Sequence, residues 1–241
     1  MAAIQFRDVS YAIGGRKVLS HVDVSVEPGE TLVLLGRSGS GKSTALKLIN
    51  GMLRPTSGEV LVEGKPTVEW DSIRLKRMIG YVIQQGGLFP HLTVRRNVAV
   101  VPELEGWPAE KITDRVDSLL ENVGLNAGEF GHRFPRQLSG GQQQRVGVAR
   151  SLAADPPILL FDEPFGALDP ITRLDLQNQF LALRRTMGKT SLFVTHDIRE
   201  ALRVGTRIAL LHEGRIDTIS SPEGFLQSTS TAAREFLACL A

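Results

Sequence analysis

The sequence predicts an α/β protein built on a mixed, largely parallel sheet, with a β-rich N-terminal segment and a helical subdomain in its middle. Three observations predict this. An apolar run, Thr31 to Leu35, passes directly into a glycine-rich loop and a helix start. Strand-like runs return at 158–161 and 191–195, separated by a helical stretch around 171–187, as βαβ units require. Between Pro108 and Gly124, the residues Ile112, Val116, Leu119, Leu120 and Val123 recur at helical spacing.

Taken in order, residues 4–35 alternate short β-rich runs with turn signals at Gly14-Gly15 and Pro28-Gly29. Ser43 to Asn50 reads as a helix, and Gly58 to Gly64 as a strand bounded by glycines. The helical subdomain is expected over about 88–150. After the second βαβ segment, Arg207 to Leu211 and Arg215 to Ile219 flank Glu213-Gly214 and read as a late hairpin. No internal repeat or low-complexity tract interrupts this order.

A length of 241 residues with 42% hydrophobic and 22% charged content allows a sizeable core and one domain. Its 28 basic and 26 acidic residues are spread along the chain, so no basic block argues for nucleic acid as a partner. The one cysteine, Cys239, excludes an intramolecular disulfide framework and fits the cytosol. The N-terminus carries no secretory leader pattern. No apolar run approaches the roughly 20 residues that span a bilayer, so work at a membrane would mean docking onto another subunit.

The chemistry begins at Gly36-Arg37-Ser38-Gly39-Ser40-Gly41-Lys42-Ser43, a phosphate-loop pattern set between an apolar strand and a helix start. Its glycines open backbone conformations closed to other residues, so amide groups converge on phosphate oxygens, and the helix N-terminus favours the anion. Lys42 is expected on the β and γ phosphates, Ser43 on Mg²⁺ and Thr44 on the α-phosphate side. In Ile158-Leu-Leu-Phe-Asp162-Glu163-Pro164 an apolar strand ends in two carboxylates. Asp162 is expected to hold Mg²⁺, and Glu163 to act as general base for an attacking water.

Leu138-Ser139-Gly140-Gly141-Gln142 narrows the reading, because a phosphate loop alone admits kinases, GTPases and other nucleotide-handling proteins. Ser139 and the two glycines open a helix through Arg145 to Ala154, a second anion-binding N-terminus. The run resembles the ABC signature without a mismatch, and the chain resembles ABC transporter nucleotide-binding domains over nearly its whole length. The resemblance implies a phosphate-loop NTPase of the ABC-ATPase form, with an N-terminal antiparallel β subdomain, a catalytic core of 1–87 and 151–241, and the helical subdomain carrying the signature. It further implies that Gln84, matching the Q-loop glutamine, senses Mg²⁺ and the water. Asp169 in Ala167-Leu-Asp169 matches the D-loop that crosses to a partner subunit, and His196 the switch histidine at the γ-phosphate.

In this family two domains stack head to tail, each ATP lying between the phosphate loop of one and the signature of the other. A homodimer is therefore implied, with permease subunits as membrane partners, a substrate-binding protein delivering cargo, and a place on the cytoplasmic face of the inner membrane. The segment Gln85 to Val94 is where importers of this family receive their permease, although Phe89 and Leu92 read equally well as subdomain core. Tyr81 to His91, Asn97 to Pro102 and Gly106-Trp107 look similar to the subfamily importing glycine betaine, choline and carnitine. Amino-acid import is the nearer alternative and a non-transport ABC ATPase the further one. No C-terminal regulatory domain is expected before Ala241. The family usually stacks an aromatic on adenine just before the Gly14-Gly15 turn; Ile13 stands there, and Tyr11, two residues earlier, is the other candidate.

Overall fold

The computed structural model describes residues 1–84, 87–166 and 168–240, with the side chains at 183 and 185–187 outside the description. In chain order the first segment runs β1 (Ile4–Ile13), β2 (Arg16–Val26), β3 (Thr31–Leu35), α1 (Lys42–Ile49), β4 (Ser57–Val62), β5 (Lys65–Pro66) and α2 (Ser72–Arg77). The middle runs β6 (Ile79–Val82), α3 (Val94–Leu104), α4 (Ala109–Asn122), α5 (Ala127–Phe130), α6 (Gly140–Leu152), β7 (Ile158–Asp162) and α7 (Pro170–Met187). The last runs β8 (Thr190–Thr195), α8 (Ile198–Val204), β9 (Arg207–His212), β10 (Arg215–Ser220), α9 (Pro222–Leu226) and α10 (Thr231–Leu237). Two compact units result, one of residues 1–76 with 188–241 and one of residues 77–187.

In the first unit β1 pairs antiparallel with β2 and with β4, Ile4 standing opposite both Val26 and Val62. The β1–β2 turn places Gly14 and Gly15 at φ 56° and 78°. Two consecutive left-handed residues suit the twist of a two-residue hairpin, which is why glycine stands at both. Beneath this sheet β3 lies between β8 and β9, parallel to each, and all five of its residues are buried. A strand buried on both faces reads as one continuous apolar run, as Thr31 to Leu35 does. Phe6, Leu19 and Val26 of the antiparallel sheet line the same apolar space as Leu32, Leu34 and Leu192. The hairpin expected around Glu213-Gly214 is present, with both residues at positive φ between β9 and β10.

In the second unit β6 and β7 run parallel, Tyr81 beside Leu160 and Val82 beside Phe161. The helical periodicity expected before Gly124 appears as α4, which buries Val116, Leu119 and Leu120. Its end is set by Gly124 at φ 71°, where the Gly124 amide donates to Glu121 O and the Leu125 amide to Leu120 O. That paired closure needs a left-handed residue just past the helix, and glycine takes the conformation without steric cost. Helices α3, α4 and α6 pack on one another, and α6 packs on β6. No described helix is long and apolar enough to cross a membrane. Helices α2, α5, α8, α9 and α10 were not marked by the sequence; none exceeds seven residues, too short for periodicity to stand out.

The contact of α6 with β6 depends on Gly80. A Cβ at this position would lie 2.3 Å from Ser151 O, 2.7 Å from Leu159 Cδ2 and 3.0 Å from Pro156 Cγ. The obstructing carbonyl belongs to the last turn of α6 and cannot rotate away. Gly80→Ala is therefore expected to destabilise the protein by about 1–3 kcal/mol, the usual range for overpacking. Urea unfolding checks this: the midpoint should fall with the slope unchanged, and an unshifted midpoint would contradict the packing described.

Candidate functional site

The phosphate loop is shaped by close backbone approach. At Gly36 a Cβ would fall 2.4 Å from Leu211 O and 2.7 Å from Ser40 Oγ. At Gly41, with φ 107°, it would fall 2.6 Å from Leu19 Cδ2 and 3.0 Å from Val18 O. The loop is thus wedged between β2 and β9, and only glycine fits at either end of the wedge. Gly39 is left-handed but faces open space, so conformation alone selects it. Lys42 is only 4% exposed, and its Nζ donates to Gly36 O and Arg37 O at 2.9 Å each. Arg37 and Ser38 are exposed, while Ser43 and Thr44 are half-buried on the first turn of α1. An exposed ion pair of 2.9 Å links Arg37 to Glu235 on α10.

A phosphate chain fits this loop on two observations. The buried Ser40 Oγ has no hydrogen-bond partner among the described residues. Helix α1 starts on Gly41 without a side-chain cap, so no side chain of its own occupies its first-turn amide groups. His196 joins the loop through the sheet: Leu35 is in register with Thr195, and the Gly36 amide donates to Thr195 O at 3.3 Å. His196 follows as an exposed residue. Its turn is held from below, where Thr195 Oγ1 donates to the buried Glu200 Oε2 at 2.6 Å and accepts from the Asp197 amide at 3.0 Å. Asp197 in turn caps α8, accepting from the Arg199 amide at 2.8 Å. Neither Thr195 nor Glu200 was marked in the sequence, since a threonine in an apolar strand and a glutamate in a short helix carry no signal alone.

Near the adenine candidates, Tyr11 stands opposite Leu19, whose side chain abuts Gly41, so β1 passes close to the phosphate loop. The pairing shifts register between Tyr11 and Ala12. That irregularity breaks the simple alternation which would set Tyr11 and Ile13 on one face. Tyr11 is half-buried, while Ile13 is 62% exposed beside the turn.

In the second unit β7 delivers Asp162 and Glu163 at its end. Asp162 is buried, and the Tyr81 hydroxyl of neighbouring β6 donates to its Oδ2 at 3.3 Å. Burial and the Asp162 carboxylate push the Tyr81 phenol up, so it stays a hydrogen-bond donor. Glu163 adopts φ 45°, a conformation uncommon outside glycine, as the chain turns out of the strand. Gln84, just beyond β6, donates through Nε2 to Glu163 Oε2 at 3.3 Å. The parallel pairing of β6 and β7 therefore brings Gln84, Asp162 and Glu163 together across some eighty residues of sequence. Carboxylate and amide oxygens are hard donors of the kind Mg²⁺ takes. Among the described residues no group of three or more His, Cys, Asp or Glu forms a metal cage, and Mg²⁺ commonly relies on one or two carboxylates plus substrate phosphates.

Ser139 caps α6 as the sequence implied. Its Oγ accepts from the Gln142 amide at 3.3 Å, and Gln142 Oε1 accepts from the Ser139 amide at 2.9 Å, a reciprocal capping box. Ser139 and Gly140 are exposed, and a Cβ at Gly140 would meet nothing within 4 Å. Gly141 differs, because its Cβ would lie 2.6 Å from Thr172 Cγ2. The Thr172 amide donates to Asp169 Oδ1 at 3.0 Å, so one threonine ties the signature to the carboxylate that starts α7. Hydrogen bonds from Thr172 and the Ile171 amide hold the exposed Asp169 carboxylate below its usual range. Ala167 of the same loop, and Gln85 and Gly86 after Gln84, lie outside the described residues.

Comparison with known proteins agrees with this reading. A family model described as ABC transporter matches residues 19–166. The osmoprotectant import ATP-binding protein OsmV of Salmonella typhimurium is 50% identical over 221 residues, 92% of this chain and 57% of its own length. The glycine betaine/carnitine/choline transport ATP-binding protein OpuCA of Bacillus subtilis is 47% identical over 93% of this chain and 58% of its own. The chain thus spans little more than half of these relatives. Among solved structures, the dimeric ATP-binding cassette MJ0796 in a post-hydrolysis state with ADP and Pi has a TM-score of 0.81 at 35% identity, covering 91% of this chain and 98% of that one.

The turn that carries His196 can be tested through Thr195. Thr195→Val removes a donor to the buried Glu200 carboxylate and an acceptor for the Asp197 amide in one step. A loss of about 1–3 kcal/mol is expected, the cost of leaving buried polar groups short of partners. Thr195→Ser, which keeps the hydroxyl, should lose less than half as much by urea unfolding. Equal losses in the two variants would assign the effect to the methyl group and remove the hydrogen bonds from their role.

Proposed function

The chain belongs to the ABC transporter family, and we propose that it binds and hydrolyses MgATP as the ATPase subunit of a membrane importer. The observation that carries the reading is the phosphate loop itself, in which Gly36 and Gly41 leave no room for side chains and the buried Ser40 hydroxyl has no partner among the described residues. Lys42, already inside the loop, exchanges the Gly36 and Arg37 carbonyls for phosphate oxygens when the nucleotide enters. Ser43, Asp162 and the Gln84 amide oxygen would hold Mg²⁺, which when bound neutralises charge on the phosphate oxygens.

Glu163 takes a proton from water as the water oxygen bonds to the γ-phosphorus, and the bond to the β–γ bridging oxygen breaks to leave ADP and inorganic phosphate. Gln84, which donates to the same carboxylate, fixes its direction. His196 donates a hydrogen bond toward the γ-phosphate. The exposed Ser139-Gly140 end of α6 meets the nucleotide bound by a second copy, so the working form is a head-to-tail homodimer that closes on MgATP and reopens after hydrolysis. Support for a dimer comes from the paired MJ0796 cassettes. The permease docks on the segment from Leu88 to Val94, where Phe89 is 43% exposed. Import of a quaternary-amine osmoprotectant rests on the names of relatives such as OsmV and OpuCA, and a substrate-binding protein outside the membrane would deliver it.

Glu163→Gln tests the assigned base. Nucleotide binding should be unchanged while turnover falls by about 10²-fold or more, the lower part of the range general bases contribute. Gel filtration with MgATP should then show a persistent dimer. Near wild-type turnover would withdraw Glu163 from the mechanism.

Adenine binding is read from Tyr11 and Ile13. Stacking on an aromatic is worth about 1–3 kcal/mol per base in nucleic-acid complexes. If Tyr11 stacks, Tyr11→Ala weakens binding of a fluorescent ATP analogue by about fivefold or more. If Ile13 instead leaves the base with apolar contact alone, Tyr11→Ala binds as wild type does and Ile13→Tyr binds more tightly.

A further inference from the structure

Helix α6 has two ends with different surroundings. Ser139 and Gly140 at its start are exposed, whereas Arg150 in its last turn reaches back to the segment that follows Gln84. Arg150 Nη1 donates to Gly87 O at 2.7 Å, and its guanidinium carbon lies 5.8 Å from the centre of the Phe89 ring. Gly87 is left-handed at φ 52°, and a Cβ there would meet Cδ1 of the exposed Ile83 side chain at 2.2 Å and Arg150 Nη2 at 3.5 Å. From the other side the fully buried Asn97 of α3 holds the same segment. Its Oδ1 accepts from the Phe89 amide at 2.7 Å, and its Nδ2 donates to Phe89 O, Leu92 O and Thr93 O at 3.0–3.1 Å. Residues 87–93 are therefore a prebuilt unit strung between α3 and α6, with Phe89 set edge-on to His91 at its outer surface.

We propose that Arg150 is a positioning residue that makes the 87–93 segment follow α6, so that nucleotide contact at Ser139 is delivered mechanically to Phe89. A helix of thirteen residues is a rod about 20 Å long, stiff enough to carry a displacement from one end to the other. The charged hydrogen bond to Gly87 and the ring contact with Phe89 supply the grip at its far end. Burial lowers the proton affinity of this guanidinium, so the two contacts also compensate its desolvation. The inference rests on the reading above, in which Ser139 meets a second copy's nucleotide and 87–93 meets the permease.

Hydrogen–deuterium exchange on the full chain tests it without any permease, in a Glu163→Gln background with and without MgATP. The amides of Phe89 and Leu92 are reporters, since one donates to Asn97 and the other to Phe89 O. MgATP is expected to protect 139–145 and 88–93 together. Arg150→Met should keep the protection at 139–145, while 88–93 exchanges about tenfold faster and ceases to respond to nucleotide. Arg150→Lys should recover part of that response. An undiminished nucleotide response of 88–93 in Arg150→Met would overturn the proposal, as would faster exchange along all of α6, which would make Arg150 a prop of its own helix. If MgATP protects 139–145 in neither protein, the dimer reading fails on its own. The nucleotide-free comparison then decides the grip: faster exchange confined to 88–93 upholds it, and unchanged exchange removes it.

Discussion

The first unit depends on one constraint, the approach of the phosphate-loop backbone to β2 and β9 within distances that exclude a Cβ. Gly36 against the Leu211 carbonyl and Gly41 against Leu19 set where the loop turns. The buried strand β3 sets where it begins. The same strand sets the position of His196, because β8 runs beside it in register and ends one residue before that histidine. Lys42 completes the arrangement by holding the loop's own carbonyls, so the cradle is formed before any anion arrives. Preformed donors need little reorganisation on binding, which is the physical advantage of such a loop.

In the second unit several polar side chains hold the backbone of loops, beside the side-chain pairs Tyr81–Asp162 and Gln84–Glu163. Asn97 closes the turn at 89–93, Arg150 ties its start, and Ser139 with Gln142 satisfies the first amides of α6. Thr172 links the signature glycine to Asp169. Each arrangement fixes a loop at a helix end, where unsatisfied backbone groups collect. Ser139 and Asp169 sit at such helix ends, while Gln84, Asp162 and Glu163 sit at or just beyond the ends of β6 and β7. Their geometry follows from capping and from the β6–β7 pairing, with a buried apolar core that includes Val98, Leu119, Leu120 and Val146.

Much of the site was legible because its residue types are demanded by local backbone geometry. A left-handed glycine, a serine at a helix start and two carboxylates after an apolar strand are constraints written within ten residues of chain. The hairpin at Glu213-Gly214 and helix α4 were legible for the same reason. Tyr81, Thr195, Glu200, Thr172, Asn97 and Arg150 were not, since each acts on a partner distant in sequence or ordinary in type. Strand alternation alone would set Tyr11 and Ile13 on one face, and the register shift after Tyr11, which breaks that alternation, carries no local signal.

By itself the sequence determined the candidate groups: a glycine-rich loop after a buried strand, a helix capped by Ser139, and Asp162 with Glu163 at the end of another buried strand. It did so because these groups need particular residues at particular spacing, and spacing survives in one dimension. Only the tertiary structure decided which of them meet. Pairing of β6 with β7 joined Gln84 to Glu163, pairing of β3 with β8 set His196 beside Gly36, and a single arginine in the last turn of α6 reached Gly87. Those meetings depend on hydrogen bonds and van der Waals contacts between residues tens of positions apart, and no local pattern encodes which distant partner a side chain will find.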